Sequence, residues 1–139
     1  MNTKIKSLWG NFSELDNIQS PYIILKNQAS KLTHLTNNLL VGNVEKFLFQ
    51  DNRQYQNASV LKIEVPSLKN YSIEVVRIDY NFDLYPLLLK SKVIDIGLFG
   101  LSKSKECASE NDLNKALEEV LSSNKVKRII GTLLKEVEE

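Results

Sequence analysis

Residues 113–134, LNKALEEVLSSNKVKRIIGTLL, decide the fold class of this chain. Leu113, Ala116, Leu117, Val120 and Leu121 recur at i, i+3, i+4, i+7 and i+8, the spacing that gathers apolar side chains on one helix face. The same spacing restarts at Val126 and runs through Ile129, Ile130, Leu133 and Leu134. At about 100° per residue, an unbroken rod would aim the two stripes about 140° apart, so no single core could bury both. A break at Ser122-Ser123-Asn124, with Ser123 or Asn124 capping the second helix, resolves the conflict. The stretch reads as two packed helices.

Upstream the apolar period is two. Residues 44–49, 58–65, 71–80 and 85–89 read as strands, with Leu61, Ile63 and Val65 set against Lys62 and Glu64. Such alternation predicts an antiparallel sheet with one wet side. The short connections Pro66–Asn70 and Asn81–Asp83 are rich in turn residues, as in a meander. Val93 to Phe99 is a candidate fifth strand, and Ser102 to Glu110, made largely of Ser and Lys, reads as a loop.

Before the strands, Ser20-Pro21 combines an N-cap with a proline suited to the first helical turn. Behind it Ile24, Leu25, Ala29, Leu32, Leu35 and Leu39 share one arc, with His34 on the opposite side. Residues 3–15 place Ile5, Leu8, Trp9, Phe12 and Leu15 at helical spacing too, which predicts a short amphipathic helix. The expected fold is α+β: an N-terminal helix, a four- to five-stranded antiparallel meander and a C-terminal helical hairpin on one sheet face. Residues 1–139 form one domain in this reading, with 1–18 peripheral. The Trp9 segment would pack within the domain or across a homo-oligomer.

Composition excludes more functions than it suggests. The 139 residues are 42% hydrophobic and 25% charged, with eighteen bases against seventeen acids for a net charge of +1. That balance gives no field to draw the chain onto nucleic acid or an anionic membrane. Only Arg53, Arg77 and Arg128 supply the guanidinium forks favoured for phosphate. One cysteine permits no internal disulfide, and no run approaches the ~20 apolar residues that span a bilayer. The expectation is a soluble cytoplasmic protein without cofactor or metal.

Chemistry-bearing residues are few. Gly97–Ser104 matches the phosphate-loop spacing except that Ser102 replaces the second glycine, whose missing Cβ lets the backbone turn around phosphates. Cys107, among lysines, is a candidate for a lowered pKa. His34 stands alone, and catalysis by histidine needs partners. Glu45, Glu64, Glu74, Asp79, Asp83 and Asp95 fall in the strand region, where a hydrolase would place them, but alternation with Lys62 and Arg77 reads as cross-strand ion pairing.

Two binding readings remain. The helix pair resembles a helix-turn-helix in outline, and its second member carries Lys125, Lys127, Arg128, Thr132 and Lys135, so Lys127 and Arg128 would carry a nucleic-acid contact. Glu136, Glu138 and Glu139 share that helix, however, and its bases crowd the end that the helix dipole disfavours. The favoured reading is a non-enzymatic regulator or inhibitor, of the immunity or antitoxin kind, that binds another protein. Arg53 and Tyr55 in one loop, and Tyr80, Phe82 and Tyr85 about a hairpin tip, are the residue types that dominate protein interfaces. A small hydrolase assembled from distant residues ranks third.

Overall fold

The computed structural model describes residues 5–94 and 104–138. Helix α1 (Pro21–Leu35) is followed by strands β1 (Val41–Leu48), β2 (Asn57–Val65), β3 (Tyr71–Asn81), β4 (Leu84–Lys90) and β5 (Ser104–Cys107), then helices α2 (Glu110–Leu121) and α3 (Asn124–Glu136). The five strands form one antiparallel sheet in the order β1-β2-β3-β4-β5. This is the α+β meander with terminal helices that the periodicities predict.

Each helix starts where its cap is written. Ser20 accepts a hydrogen bond from the Ile23 N–H, and Pro21 occupies the first turn. Ser109 accepts from the Asp112 N–H at 3.1 Å, and the Asp112 carboxylate accepts from the N–H of Ala108, the residue before the cap, so two bonds fix the start of α2. Ser123 accepts from the Val126 N–H at 3.2 Å, so α2 and α3 break where the stripe geometry requires. Left-handed backbone at Asn37 and Asn38 follows α1, and Leu35 and Leu39, both assigned to its apolar arc, are exposed.

One face of the sheet takes all three helices. Leu61, Ile63 and Val65 of β2 and Ile78 of β3 meet Leu25 and Ala29 of α1 and the buried stripe of α2, Leu113, Ala116, Leu117 and Val120. A β-bulge near Val75 brings both Val75 and Val76 into this core. The apolar stripe of α3 is less covered: only Val126 is fully buried, and Ile129, Ile130, Leu133 and Leu134 remain half-exposed. Helix α1 lies so close to β1 that a Cβ on Gly42 would fall 2.5 Å from the Cα and the carbonyl oxygen of Ala29. The Gly42 N–H donates to Thr33 Oγ1 at 2.9 Å in the same contact.

Three expectations change. Residues 5–12 do not form the predicted helix, and only a 3-10 turn at Ser13–Asn17 appears. An amphipathic segment this short holds a helix only against a surface, and among the described residues nothing covers it. The fifth strand is Ser104–Cys107, within the stretch read as a loop; it pairs with Leu87–Lys90 and supplies the backbone partners that β4 lacks on that edge. Of the earlier candidate, Val93 and Ile94 lie in a bend, and 95–99 fall outside the described residues. Cys107, a candidate for a lowered pKa, is instead buried opposite Leu87.

Burial pushes the Cys107 thiol above its ordinary pKa of 9.0, against an opposing pull from Lys105. The folded protein should therefore react with a thiol reagent only as fast as it opens. The unfolded chain releases the thiol proton as pH rises past 9.0 while the native state keeps it, so stability falls across that range. Rapid labelling without denaturant would contradict this burial.

Candidate protein-binding face

On the sheet face turned away from the helices, Phe47 stands opposite Ala58, and the next residue of that parity, Phe49, stacks beside it. Their ring centroids are 6.4 Å apart and nearly parallel, at 8°. The β1–β2 loop then folds so that the Arg53 guanidinium lies 3.7 Å from the Phe49 ring centroid. Asp51 fixes it there. Arg53 Nε and Nη2 both donate to the Asp51 carboxylate at 2.7 Å, a bidentate fork, and the Arg53 N–H donates to the same side chain. That hydrogen-bonded fork holds the Asp51 carboxyl below its usual range and raises the Arg53 pKa.

Asn81 ties this loop to the neighbouring turn. Its Oδ1 accepts from the Gln56 N–H at 3.1 Å, and its Nδ2 donates to the Gln54 carbonyl at 3.2 Å. The next residue, Phe82, is 74% exposed. Two tips separated in sequence are thereby tied together.

Beneath the loop sits a polar hollow of about 260 Å³, bordered by Arg53, Tyr55, Arg77, Asp79 and Lys90. Asp79 is buried and accepts from Arg77 Nε at 2.8 Å, with Lys90 Nζ 2.9 Å from its other oxygen. Arg77 and Lys90 stand directly opposite each other on β3 and β4, and Asp79 offsets their repulsion. Tyr55 is half-buried; desolvation, reinforced by Glu106 and Asp79, raises its pKa, so it stays a neutral phenol at physiological pH.

The chain matches no protein-family model, no curated protein and no solved structure.

Of the five residues proposed for partner contact, Arg53 and Tyr55 border one hollow and Phe82 is exposed in the turn that Asn81 ties to their loop, while the other two lie elsewhere. Tyr80 is 4% exposed on the helix-covered side, its hydroxyl 3.3 Å from Ser59 Oγ. Tyr85 packs half-buried against the core, and its hydroxyl has no hydrogen-bond partner among the described residues. Burial raises its pKa, with Glu110 as the next cause. Phe49 and Asp51 belong to the face but carry no sequence signal for it. Asn81 does, because an asparagine entering a hairpin turn is a recognised side-chain staple.

The other candidates disperse. Lys127 borders a hollow towards α1 and α2, whereas Arg128 borders one beside Tyr71 and Ile73, so they flank α3 on two sides. Among the acids, Glu45 pairs with Lys62 at 2.9 Å, Glu64 accepts from Asn43, and Glu74 lies 3.7 Å from Lys92. No group of three metal-ligating side chains occurs among the described residues. Asp83 and His34 are exposed, and Asp95 lies outside the described residues. Most of the phosphate-loop spacing lies there too, and its last residue, Ser104, opens a strand and not the helix such a loop needs. No described helix is long and apolar enough to cross a membrane.

Proposed function

We propose that this chain is a non-enzymatic protein-binding module, a small cytoplasmic regulator or inhibitor, that docks its partner through Arg53, Tyr55 and Phe82. One observation supports the reading: Asn81 ties the loop that carries Arg53 and Tyr55 to the turn that carries Phe82. Arginine and aromatic side chains dominate binding energy at interfaces, and fixing them beforehand removes part of the ordering cost of association. The Asp51 fork serves this purpose by holding Arg53 flat on Phe49. A domain of this size presents enough surface for a standard interface.

A photo-crosslinking phenylalanine analogue at position 82 tests the proposal in living cells, with the same analogue at exposed Lys115 of α2 as control. A protein captured from position 82 alone is the expected result. Arg53→Ala and Phe82→Ala should each weaken its binding by about tenfold or more, as for interface hot spots. Affinity unchanged in both variants, or equal capture from position 115, would remove this face from consideration.

A further inference from the structure

Strand β1 is one edge of the sheet, and its free side can be read residue by residue. In an antiparallel pair the backbone groups of alternate residues turn towards the neighbouring strand and away from it. Phe49 donates its N–H to the Gln56 carbonyl at 2.7 Å, so odd positions face β2. Gly42 donates its N–H to Thr33 Oγ1, so even positions face the other way. Helix α1 satisfies that first outward donor. Beyond it Val44, Lys46 and Leu48 each turn an N–H and a C=O to the open side, where none has a partner among the described residues. Lys46 is exposed, and Leu48 is 59% exposed.

Open edges are usually guarded by a charged side chain, often a lysine, or by a proline. Residues 41–48 contain no proline. Their one lysine, Lys46, is drawn back to α1, with its Nζ 4.5 Å from the centroid of the Tyr22 ring. The edge is left open where the sheet runs into the β1–β2 loop.

We infer, resting on the proposed function, that the partner adds an extended segment to β1 and pairs its backbone with Val44, Lys46 and Leu48.

The hydrogen-bonding pattern selects a strand as the occupant. The open groups repeat every second residue, about 7 Å apart along a line, and another extended backbone matches that spacing. A helix spends its backbone groups on itself, and an apolar surface would bury these six unpaired. Side chains favour the same occupant. Phe47 and the stacked Phe49 flank this edge on the face away from the helices, and Phe49 carries Arg53. An added strand sets alternate side chains beside those rings, where aromatic or β-branched residues pair best.

A second copy of this chain fits less well. A two-fold antiparallel register that uses all three residues sets Lys46 directly against Lys46 of the other copy, and like charges so placed repel.

The test removes outward N–H groups and spares the inward ones. Lys46→Pro and Leu48→Pro delete donors that β2 does not use, so the urea midpoint should stay near that of the wild type. Lys46→Ala deletes the side chain and keeps the donor. The protein crosslinked from position 82 is the probe, identified and then purified. Each proline should weaken its binding about tenfold, while Lys46→Ala stays within about twofold of wild type. Amide hydrogen exchange at Lys46 and Leu48 of the wild type, fast in the free chain, should slow by about tenfold or more in the complex. The photo-crosslinking analogue placed at Leu48 should capture that same protein.

Full affinity in both proline variants, or exchange that does not slow, would overturn the added strand and leave the Arg53 and Phe82 reading standing. An equal loss in Lys46→Ala would assign the effect to the side chain and overturn it too. A crosslink from Leu48 to a second copy of this chain would do the same. If position 82 captures nothing, the proposed function and the added strand fall together.

Discussion

Gly42→Val is expected to lower the free energy of unfolding by about 3 kcal/mol in urea titration, a large share of the roughly 5–15 kcal/mol that a domain this size possesses. The cause is space, not backbone conformation. A Cβ at this position would sit 2.5 Å from the Cα and the carbonyl oxygen of Ala29, and no rotamer change moves backbone atoms away. Helix α1 would have to lift from β1, taking Leu25 and Ala29 out of the core and stretching the bond from the Gly42 N–H to Thr33. Ala29→Gly would therefore give no relief, since the obstruction is the helix backbone itself. Gly42→Ala should lie in the same direction with a smaller loss. A cost under about 1 kcal/mol for Gly42→Val would show that α1 rides on the sheet more loosely than this contact implies.

Asp79→Ala carries the second large effect, about 2 kcal/mol of stability together with weaker partner binding. Removing this buried carboxylate leaves Arg77 and Lys90 facing each other across β3 and β4 with no acid between them. Both cations are partly exposed, at 34% and 46% of their side chains, so water screens the repulsion and keeps the loss below that of a fully buried pair. Asp79→Asn separates the two roles of the side chain: it retains shape and an acceptor oxygen but removes the charge. Asparagine should recover part of the packing loss while the cation repulsion persists, making its stability more salt-sensitive than that of the wild type. Equal stability of Asp79→Ala and wild type at low salt would show that the carboxylate is incidental to the sheet. Because Asp79 borders the hollow beneath Tyr55, the same substitutions should loosen the Arg53 loop.

Much of the architecture is legible in local pattern. The strands lie close to where period-two alternation predicts them, because each must turn one row of side chains to the helices and the other away. The break between α2 and α3 is legible for a stricter reason: two stripes about 140° apart cannot share a core, whatever the remaining fold. Ser20 and Ser123 mark two helix starts because a hydroxyl before the first turn satisfies an orphan N–H, whereas Ser109 falls in the stretch read as a loop.

Where pattern fails, the missing information is a partner surface. Residues 5–12 have a helical stripe that no described residue covers, and spacing states what a helix would bury, not whether a surface exists. Strand β5 fails in the opposite sense. Ser104–Cys107 sends only Cys107 fully into the core, so its side chains barely alternate, yet backbone pairing along β4 makes it a strand. That placement also overrides the lysines beside Cys107: burial outweighs their charge and raises the thiol pKa.

The candidate face divides in the same way. The sequence alone identifies Arg53, Tyr55 and Phe82 as residue types that interfaces use, and it determines the period of every strand and helix that carries them. Only the tertiary structure decides that the turn carrying Phe82 is tied to the loop carrying Arg53 and Tyr55, since antiparallel pairing brings the end of β3 to the β1–β2 loop and lets Asn81 bind it. It likewise turns Tyr80 inward and Tyr85 towards the core, although their chemistry is the same as that of Tyr55. Side-chain type and periodicity are local properties of the chain, whereas which tips meet depends on register, twist and the turns between strands.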